Sequence, residues 1–286
     1  MNFLQERNLL APEQIGFRKN HRTTDHLFIV KNLMDRYKKC KKSLFICFVD
    51  FQKAFDTVWH DGLFFKLRNY GISSKFYSVI RTMYKNVRLA VQCNGALTPF
   101  FQSHVGVRQG DNLSPSLFNL FINDLPQIFK DCCPAQFGDM SLPCLLYADD
   151  LAIFSESETG MQRALHNLGV YCKKWKLTVN TTKTKIMIIN KPPKIGSFLL
   201  SNKAIDIVES YSYLGIEFNN SCDFELAKSN LYKKGLKVYF KLVRSMSPLP
   251  KASTMLHLFD HLIKPILFYN CEIWGLNFRQ SKVLIS

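Results

Sequence analysis

Two adjacent carboxylates, Asp149-Asp150, stand between apolar runs in Leu145-Leu146-Tyr147-Ala148-Asp149-Asp150-Leu151-Ala152-Ile153-Phe154. The flanks read as strands and the aspartates as the tip of the hairpin joining them. Like charges side by side repel and resist ionisation unless a cation sits with them. Hard carboxylate oxygens suit Mg²⁺ or Mn²⁺. The plain alternative is a polar turn whose aspartates face water. A third carboxylate, Asp50, ends the unbroken apolar run Leu44-Phe45-Ile46-Cys47-Phe48-Val49. Such a run marks a strand covered on both faces, and a charge at its end needs a partner, water or a metal ion.

The elements that must position these groups follow in a recognisable order. A helix with the stripe Leu27, Ile29/Val30, Leu33 and Met34 precedes the first strand, and Asp56 or Thr57 reads as the cap of the helix after it. Residues 60–84 form two helices broken at Gly71, with Ser73/Ser74 capping the second, and Asn94-Gly95 is a hairpin turn signal. Ser114-Pro115 opens another helix. After the Asp-Asp hairpin come a helix over 159–176, a strand containing Ile186-Met187-Ile188-Ile189, and strands near 204–208 and 211–218. From Cys222 onward the pattern is helical and basic, and the last apolar stretch, 256–274, reads as one helix interrupted near Pro265. This is an α+β chain whose centre is a βαββαβ sheet with an insertion after the first helix. In that topology the end of the first strand lies beside the hairpin tip, so Asp50 and Asp149 converge. Three carboxylates around one point form a two-metal phosphoryl-transfer site.

Composition narrows the partners. The 286 residues carry 38 Lys+Arg against 22 Asp+Glu, a net charge of +16 and a pI of about 9.4. Basic charge spread along a folded chain implies a polyanion, with nucleic acid ahead of a ribosomal-type or membrane-surface role. Nine cysteines without a CxxC pair read as reduced, mostly buried residues of an intracellular protein. No apolar run is long enough for a membrane span, and Glu6 and Arg7 exclude a signal peptide.

The motifs also carry a family likeness. Phe48-Val49-Asp50-Phe51-Gln52-Lys53-Ala54-Phe55-Asp56, Gly106-Val107-Arg108-Gln109-Gly110-Asp111-Asn112-Leu113-Ser114-Pro115 and Tyr147-Ala148-Asp149-Asp150 resemble motifs A, B and C of reverse transcriptases. Their wording is similar to non-LTR (LINE-type) retrotransposon polymerases. Asn180-Thr181-Thr182-Lys183-Thr184 resembles motif D, and Tyr213-Leu214-Gly215 resembles motif E. Gly16-Phe17-Arg18 with Thr23-Thr24-Asp25 is similar to the segment before motif A, and Lys264-Pro265-Ile266-Leu267 through Trp274 to the thumb.

The resemblance implies a right-hand polymerase: a fingers remnant over 1–43, a palm over 44–220 and a helical thumb or connection over 221–286. The palm would hold a fingers insertion at about 60–108 and a primer-grip hairpin at about 203–218. It implies that Asp50 and Asp149, with the Phe51 carbonyl, hold Mg²⁺ (or Mn²⁺) between a primer 3′-hydroxyl and a dNTP. Asp150 would be a further ligand, or would shape the field or hold a lysine, with a charge that fixes the hairpin as the plain alternative. Phe55 would exclude a 2′-hydroxyl, or simply pack in the core. Gln109 and Gly110 would line the nucleotide pocket, with a plain turn as the alternative for Gly110. Lys183 would approach the leaving pyrophosphate, or be a surface lysine. Tyr213, Leu214 and Gly215 would grip the primer, while Arg18, Arg22 and the later lysines would meet phosphates of RNA template and DNA primer.

The family also implies work in the nucleus or cytoplasm, and leaves the oligomeric state open. Members of the family carry basic fingers strands before the Gly-Phe-Arg segment. Here the chain starts after them, without a preceding endonuclease domain or a following Cys/His knuckle, so an N-terminally truncated element is the expectation. Two competitors follow: a catalytically impaired nucleic-acid-binding fragment of the same fold, and a viral RNA-templated RNA polymerase. Ala148 and Phe55 argue against the latter.

Overall fold

The six residues of strand β1 (Leu44–Val49) are all buried, because none has a polar group to offer water and the strand can lie only inside a two-sided sheet. In the computed structural model, which describes residues 9–72, 74–85, 87–108, 110–246 and 251–275, β1 is antiparallel to both neighbours. These are β9 (Asp150–Ser155) on one side and β10 (Lys185–Ile189) on the other. A small hairpin of β6 (Ala135–Phe137) and β7 (Met140–Leu142) leads into strand β8 (Cys144–Tyr147), which pairs with β9 as a hairpin, while β12 (Lys203–Val208) and β11 (Phe198–Leu200) extend the far edge. The sheet order β11-β12-β10-β1-β9-β8 contains the βαββαβ arrangement read from the sequence, with β9 threaded between β1 and β8.

Alternation along β1 builds two cores. Phe45, Cys47 and Val49 face one cluster, which takes in α4 (Ser114–Phe121) and α5 (Glu158–Trp175). Leu44, Ile46 and Phe48 face the other, where α1 (Thr23–Lys39) lays down Leu27, Val30, Leu33, Met34 and Tyr37. That face also receives the hairpin of β13 (Ser210–Tyr213) and β14 (Ile216–Asn219), and the start of α6 (Glu225–Ser245).

The inserted region holds α2 (His60–Asn69), α3 (Ser74–Lys85) and four two-residue strands. Gly71, at φ +73°, separates the two helices, and the Ser73 cap lies outside the described residues. The two expected strands are a nested pair of hairpins: β2 (Arg88–Leu89) with β5 (Phe101–Gln102), and β3 (Gln92–Cys93) with β4 (Ala96–Leu97). Asn94 and Gly95 both have positive φ, as a type I′ turn requires.

Asp56 and Thr57 do not cap α2, whose N-cap is Trp59. Residues 51–57 form tight turns instead. The carbonyls of Phe55 and Val58 accept the N–H groups of Val107 (2.8 Å) and Gly106 (2.9 Å), and this long-range bonding overrides the local cap signal.

Of the nine cysteines, Cys47, Cys132, Cys144 and Cys172 are buried, fewer than the sequence reading anticipated. The terminal stretch is α7 (Ala252–Leu258), a widened turn through Ile263, α8 (Lys264–Leu267) and α9 (Cys271–Trp274). Among the described residues no helix is long and apolar enough to cross a membrane.

Candidate active site

The β1–β9 ladder ends at the pair Val49–Leu151, so one further step along the same register sets Asp50 opposite Asp150, with Asp149 in the turn beside them. The ladder therefore joins carboxylates from distant parts of the chain. Burial raises the Asp149 carboxyl above its ordinary value, its own backbone N–H opposes this, and neighbouring Asp50 adds to the rise. Asp150 is exposed by surface area, yet surrounding protein mass still withholds water from its carboxyl. That burial, then the charges of Asp149 and Asp50, pushes it up to about 6. Among the described residues no Lys, Arg or His forms an ion pair with any of the three.

This is a concentration of negative charge without an internal counter-ion. No three His, Cys, Asp or Glu side chains among the described residues are already drawn together as a metal cage. The donor set is instead aspartates on adjacent strands plus a backbone oxygen. Asn180 N–H donates to the Asp50 carbonyl (2.8 Å) and Gln52 N–H to the Thr178 carbonyl (2.8 Å), bracketing the Phe51–Val179 bridge. In that pattern the Phe51 carbonyl turns toward the other edge, where the hairpin lies. The Asp50 N–H donates to Thr184 Oγ1 at 3.2 Å. The segment 178–184 thus holds the Asp50 backbone on both sides. Lys183 sits exposed on this turn.

The Ala148-Asp149 turn has its own support. Only its first residue has positive φ, +56° at Ala148, which is the pattern of a type II′ turn and strained for a residue other than glycine. Buried Gln14 accepts the Ala148 N–H at Oε1 (3.0 Å) and donates Nε2 to the Ala148 carbonyl (3.1 Å). Around it, Leu146 N–H reaches the Glu13 carbonyl (2.9 Å) and Ile15 N–H the Leu146 carbonyl (3.0 Å). The strap before α1 therefore closes the open edge of β8. Asn123, just beyond α4, takes the Ala11 N–H at 2.6 Å and donates to the Leu9 carbonyl at 2.7 Å.

A cavity of about 590 Å³ is lined by Phe17, Phe55, Arg108, Gly110, Asp111 and Ser114 among others, and it meets the Asp149 turn through Gly16, the neighbour of Phe17 that packs against Ala148. Half-buried Phe55 stacks on buried Phe118, with centroids 4.4 Å apart. Gly110 has φ +80° and open space where a side chain would be, so the backbone conformation is what selects glycine there. Gln109 lies outside the described residues.

On the opposite side of the sheet end, Tyr211 stacks flat on Phe48 at 4.5 Å. Burial, with Asp50 and Asp150 nearby, pushes its phenol up to about 12. The turn joining β13 to β14 is Leu214-Gly215, both at positive φ, and the Leu214 carbonyl accepts Tyr269 Oη at 3.2 Å. Tyr213 is buried, and among the described residues its hydroxyl has no hydrogen-bond partner.

The family model described as reverse transcriptase (RNA-dependent DNA polymerase) matches residues 1–218. The chain belongs to the reverse transcriptase family. Relatives include the probable RNA-directed DNA polymerase from transposon BS of Drosophila melanogaster, 28% identical over 99% of this chain and 32% of that protein. Another is the polymerase from the mobile element jockey of the same organism, 24% identical over 92% of this chain and 29% of that protein. The likeness to non-LTR retrotransposon polymerases read from the motifs thus holds across most of the chain. The chain spans about a third of the length of these curated relatives. Among solved structures, telomerase from Candida albicans in complex with a TWJ fragment of telomeric RNA matches 95% of this chain and 52% of its own. Its TM-score is 0.54 at 13% identity, which speaks for a shared right-hand polymerase fold.

Within this reverse transcriptase domain the structure brings together Asp50, Phe51, Asp149 and Asp150, with Phe55 and Gly110 lining the adjoining cavity and the Tyr213-Leu214-Gly215 hairpin on the other face. Two candidates sit differently. Arg18 turns its guanidinium inward onto the carbonyls of Ala11 (3.3 Å) and Gln14 (3.0 Å). Arg22 is exposed immediately before α1, its N–H held by Asp25. Sequence reasoning overlooked Gln14, Phe17, Arg108 and Tyr211. The cue to Gln14 in the sequence is a polar residue just before Gly16-Phe17-Arg18, the segment that resembles the one before motif A.

Proposed function

We propose that this chain is the polymerase core of a retrotransposon reverse transcriptase, which extends a DNA primer along an RNA template with deoxynucleoside triphosphates inside the cell, in nucleus or cytoplasm. The observation that carries the reading is the meeting of Asp50 with Asp149-Asp150 where β1 and β9 end together, beside the cavity walled by Phe55. In the reaction the primer 3′-oxygen bonds to the α-phosphorus, the bond to the β-phosphate bridge breaks, and pyrophosphate leaves. Two Mg²⁺ ions, when bound, make the hydroxyl a better nucleophile and neutralise phosphate charge.

The residues present fit that need: uncompensated hard oxygens from Asp50, Asp149 and the Phe51 carbonyl, on a rigid sheet end. Asp150 completes the negative field and faces Tyr211 and Tyr213. Phe55 closes the sugar side against a 2′-hydroxyl. Lys183, exposed on the turn that holds Asp50, serves the leaving pyrophosphate as a cation or proton donor. The Tyr213-Leu214-Gly215 bend supports the primer end, and the exposed Lys233, Lys234, Lys237, Lys241 and Arg244 of α6 offer charge to its phosphates.

Primer extension tests this. On poly(A)/oligo(dT) with dTTP and Mg²⁺, the chain should extend the primer, and Asp149→Ala should abolish extension while leaving the fold intact by circular dichroism. Folded chain that binds the primer–template but extends nothing, in Mg²⁺ or Mn²⁺, would refute the enzyme and leave a binding module.

A further inference from the structure

Phe55 is held from two directions. Behind it, Phe118 is fully buried and fixed by the core. On its flank, Phe17 meets it edge-on, with centroids 6.2 Å apart and ring planes at 86°. Phe17 has none of the reasons that explain Phe118. It is 50% exposed, and its backbone sits at φ +59°, a conformation that a bulky residue adopts only when its surroundings dictate it.

The dictating contacts belong to Gly16. Its N–H donates to Gln14 Oε1 at 2.8 Å, and its carbonyl accepts Asn119 Nδ2 at 2.7 Å. A Cβ at this position would lie 2.2 Å from the Ala148 nitrogen, so the strap can pass the catalytic turn only as glycine. With residue 16 pinned, the next residue is turned left-handed, and its ring lands against Phe55 at the mouth of the nucleotide cavity. The same Gln14 amide that holds the Asp149 turn thus sets the position of Phe17.

We infer that Phe17 is a specificity-determining residue that braces Phe55, so that the pocket rejects the 2′-hydroxyl of a ribonucleotide. The inference rests on the reading of Phe55 as the sugar-side wall. A gate excludes by not yielding. Stacked on Phe118 alone, the Phe55 ring has a free side and can tilt away from an added oxygen. With the edge of Phe17 against that side, the tilt meets a second ring. Phe17 therefore acts on discrimination through Phe55, as a positioning residue, and leaves the reacting atoms alone.

The experiment measures kcat/KM for incorporation of dGTP and of GTP opposite a template cytosine, using the whole chain on an RNA template with a DNA primer. Phe17→Ala should lower the dGTP/GTP preference about 3- to 10-fold, the range set by losing one aromatic edge contact. The change should fall mainly on GTP, whose kcat/KM should rise, and less on dGTP, as a ring that acts through Phe55 requires. Phe17→Tyr keeps the ring and should keep the preference. Phe55→Ala should lower the preference further, and adding Phe17→Ala to it should change nothing more, since no ring is left to brace.

Phe17→Leu retains apolar bulk without the ring edge and carries the test if the alanine variant does not fold. Equilibrium competition between dGTP and GTP for the chain on a 3′-dideoxy-terminated primer–template reads the same preference without turnover. An unchanged preference in Phe17→Leu and Phe17→Ala, alongside a lowered one in Phe55→Ala, overturns the brace alone. Additive effects in the double variant also overturn it, because Phe17 then acts independently of Phe55. An unchanged preference in Phe55→Ala sinks the gate reading itself.

Discussion

Gln14 bonds both backbone polar groups of Ala148, its Oε1 taking the N–H at 3.0 Å and its Nε2 reaching the carbonyl at 3.1 Å, across 134 positions of sequence. A side-chain amide carries its acceptor and its donor on separate atoms, so one residue can serve both backbone groups without adding charge beside Asp149-Asp150. The strain at Ala148 persists because this amide over-determines it.

Replacing the amide separates its two jobs. Gln14→Met leaves two buried backbone groups of the turn unpaired and should destabilise the chain by about 2–4 kcal/mol in urea unfolding. In the protein that remains folded, kcat for extension should fall about 10- to 100-fold with KM for dNTP nearly unchanged, because misplacing Asp149 harms positioning more than binding. Gln14→Glu keeps the acceptor but loses the donor and adds a fourth carboxylate, so its deficit should deepen as the pH rises. A pH–rate profile of the two variants distinguishes these effects.

The carboxylate cluster makes stability depend on pH and on divalent ions in opposite senses. In metal-free protein the Asp150 carboxyl titrates at about 6 instead of 3.8. Between those values the folded chain binds more protons than the unfolded one, so Asp150's contribution is fully present below 3.8 and is lost as pH rises through about 6. Asp149, also raised, adds in the same direction. Asp150→Asn should flatten the fall in Tm over this window in EDTA. Mg²⁺ should raise Tm increasingly above about pH 6, where the carboxylates are free to bind it. An Asp50→Asn/Asp149→Asn double variant should lose that gain.

A buried cation ties the inserted helices to the palm. Lys66 of α2 reaches Asp124 Oδ1 at 2.6 Å and the Tyr171 hydroxyl at 2.8 Å, and lies 3.8 Å from the centre of the Trp175 ring. Burial, opposed by Asp124, brings its ammonium down to about 8. Asp124→Asn strips the charge partner from a buried ammonium and should cost about 2–3 kcal/mol, less than for a fully buried pair because Asp124 is partly exposed. Lys66→Met should cost less than that. Asp124 holds that ammonium up, so without it Lys66 deprotonates at lower pH still, and the penalty in Asp124→Asn should ease as pH rises toward about 8 and be largely gone above it. Urea unfolding at pH 7 and 9.5 checks both the order and the trend.

Nucleic-acid affinity should follow the exposed charge of α6. Lys233 and Lys234 line a cleft of about 370 Å³ between that helix and the Tyr213-Leu214-Gly215 hairpin. Lys233→Ala/Lys234→Ala should weaken primer–template binding and reduce the slope of log K against log salt by about 1–2. Asp149→Ala should leave the slope unaltered. Fluorescence anisotropy across a salt series measures both.

Much of the site was legible because its signals are local. The carboxylates end apolar strands, the Asn94-Gly95 turn, the Gly71 break and the Ser114-Pro115 helix start each state their conformation within a few residues, and the unbroken run 44–49 declared a two-sided sheet. The α2 start was misread for the complementary reason. Asp56 and Thr57 look like caps, yet the chain there is committed to backbone bonds with Gly106 and Val107, some fifty residues further on.

By itself the sequence determined which side chains could do chemistry and in what order strands and helices would present them, since charge, apolar period and turn chemistry are properties of neighbours in the chain. Only the folded structure decided that Gln14 would clamp Ala148, that Gly16 would have no room for a methyl group, and that Phe17 would be turned against Phe55. Those relationships join positions 14–17 to 55 and 148 through hydrogen bonds and steric contact, which no periodicity encodes and which exist only once the strap lies along the edge of β8.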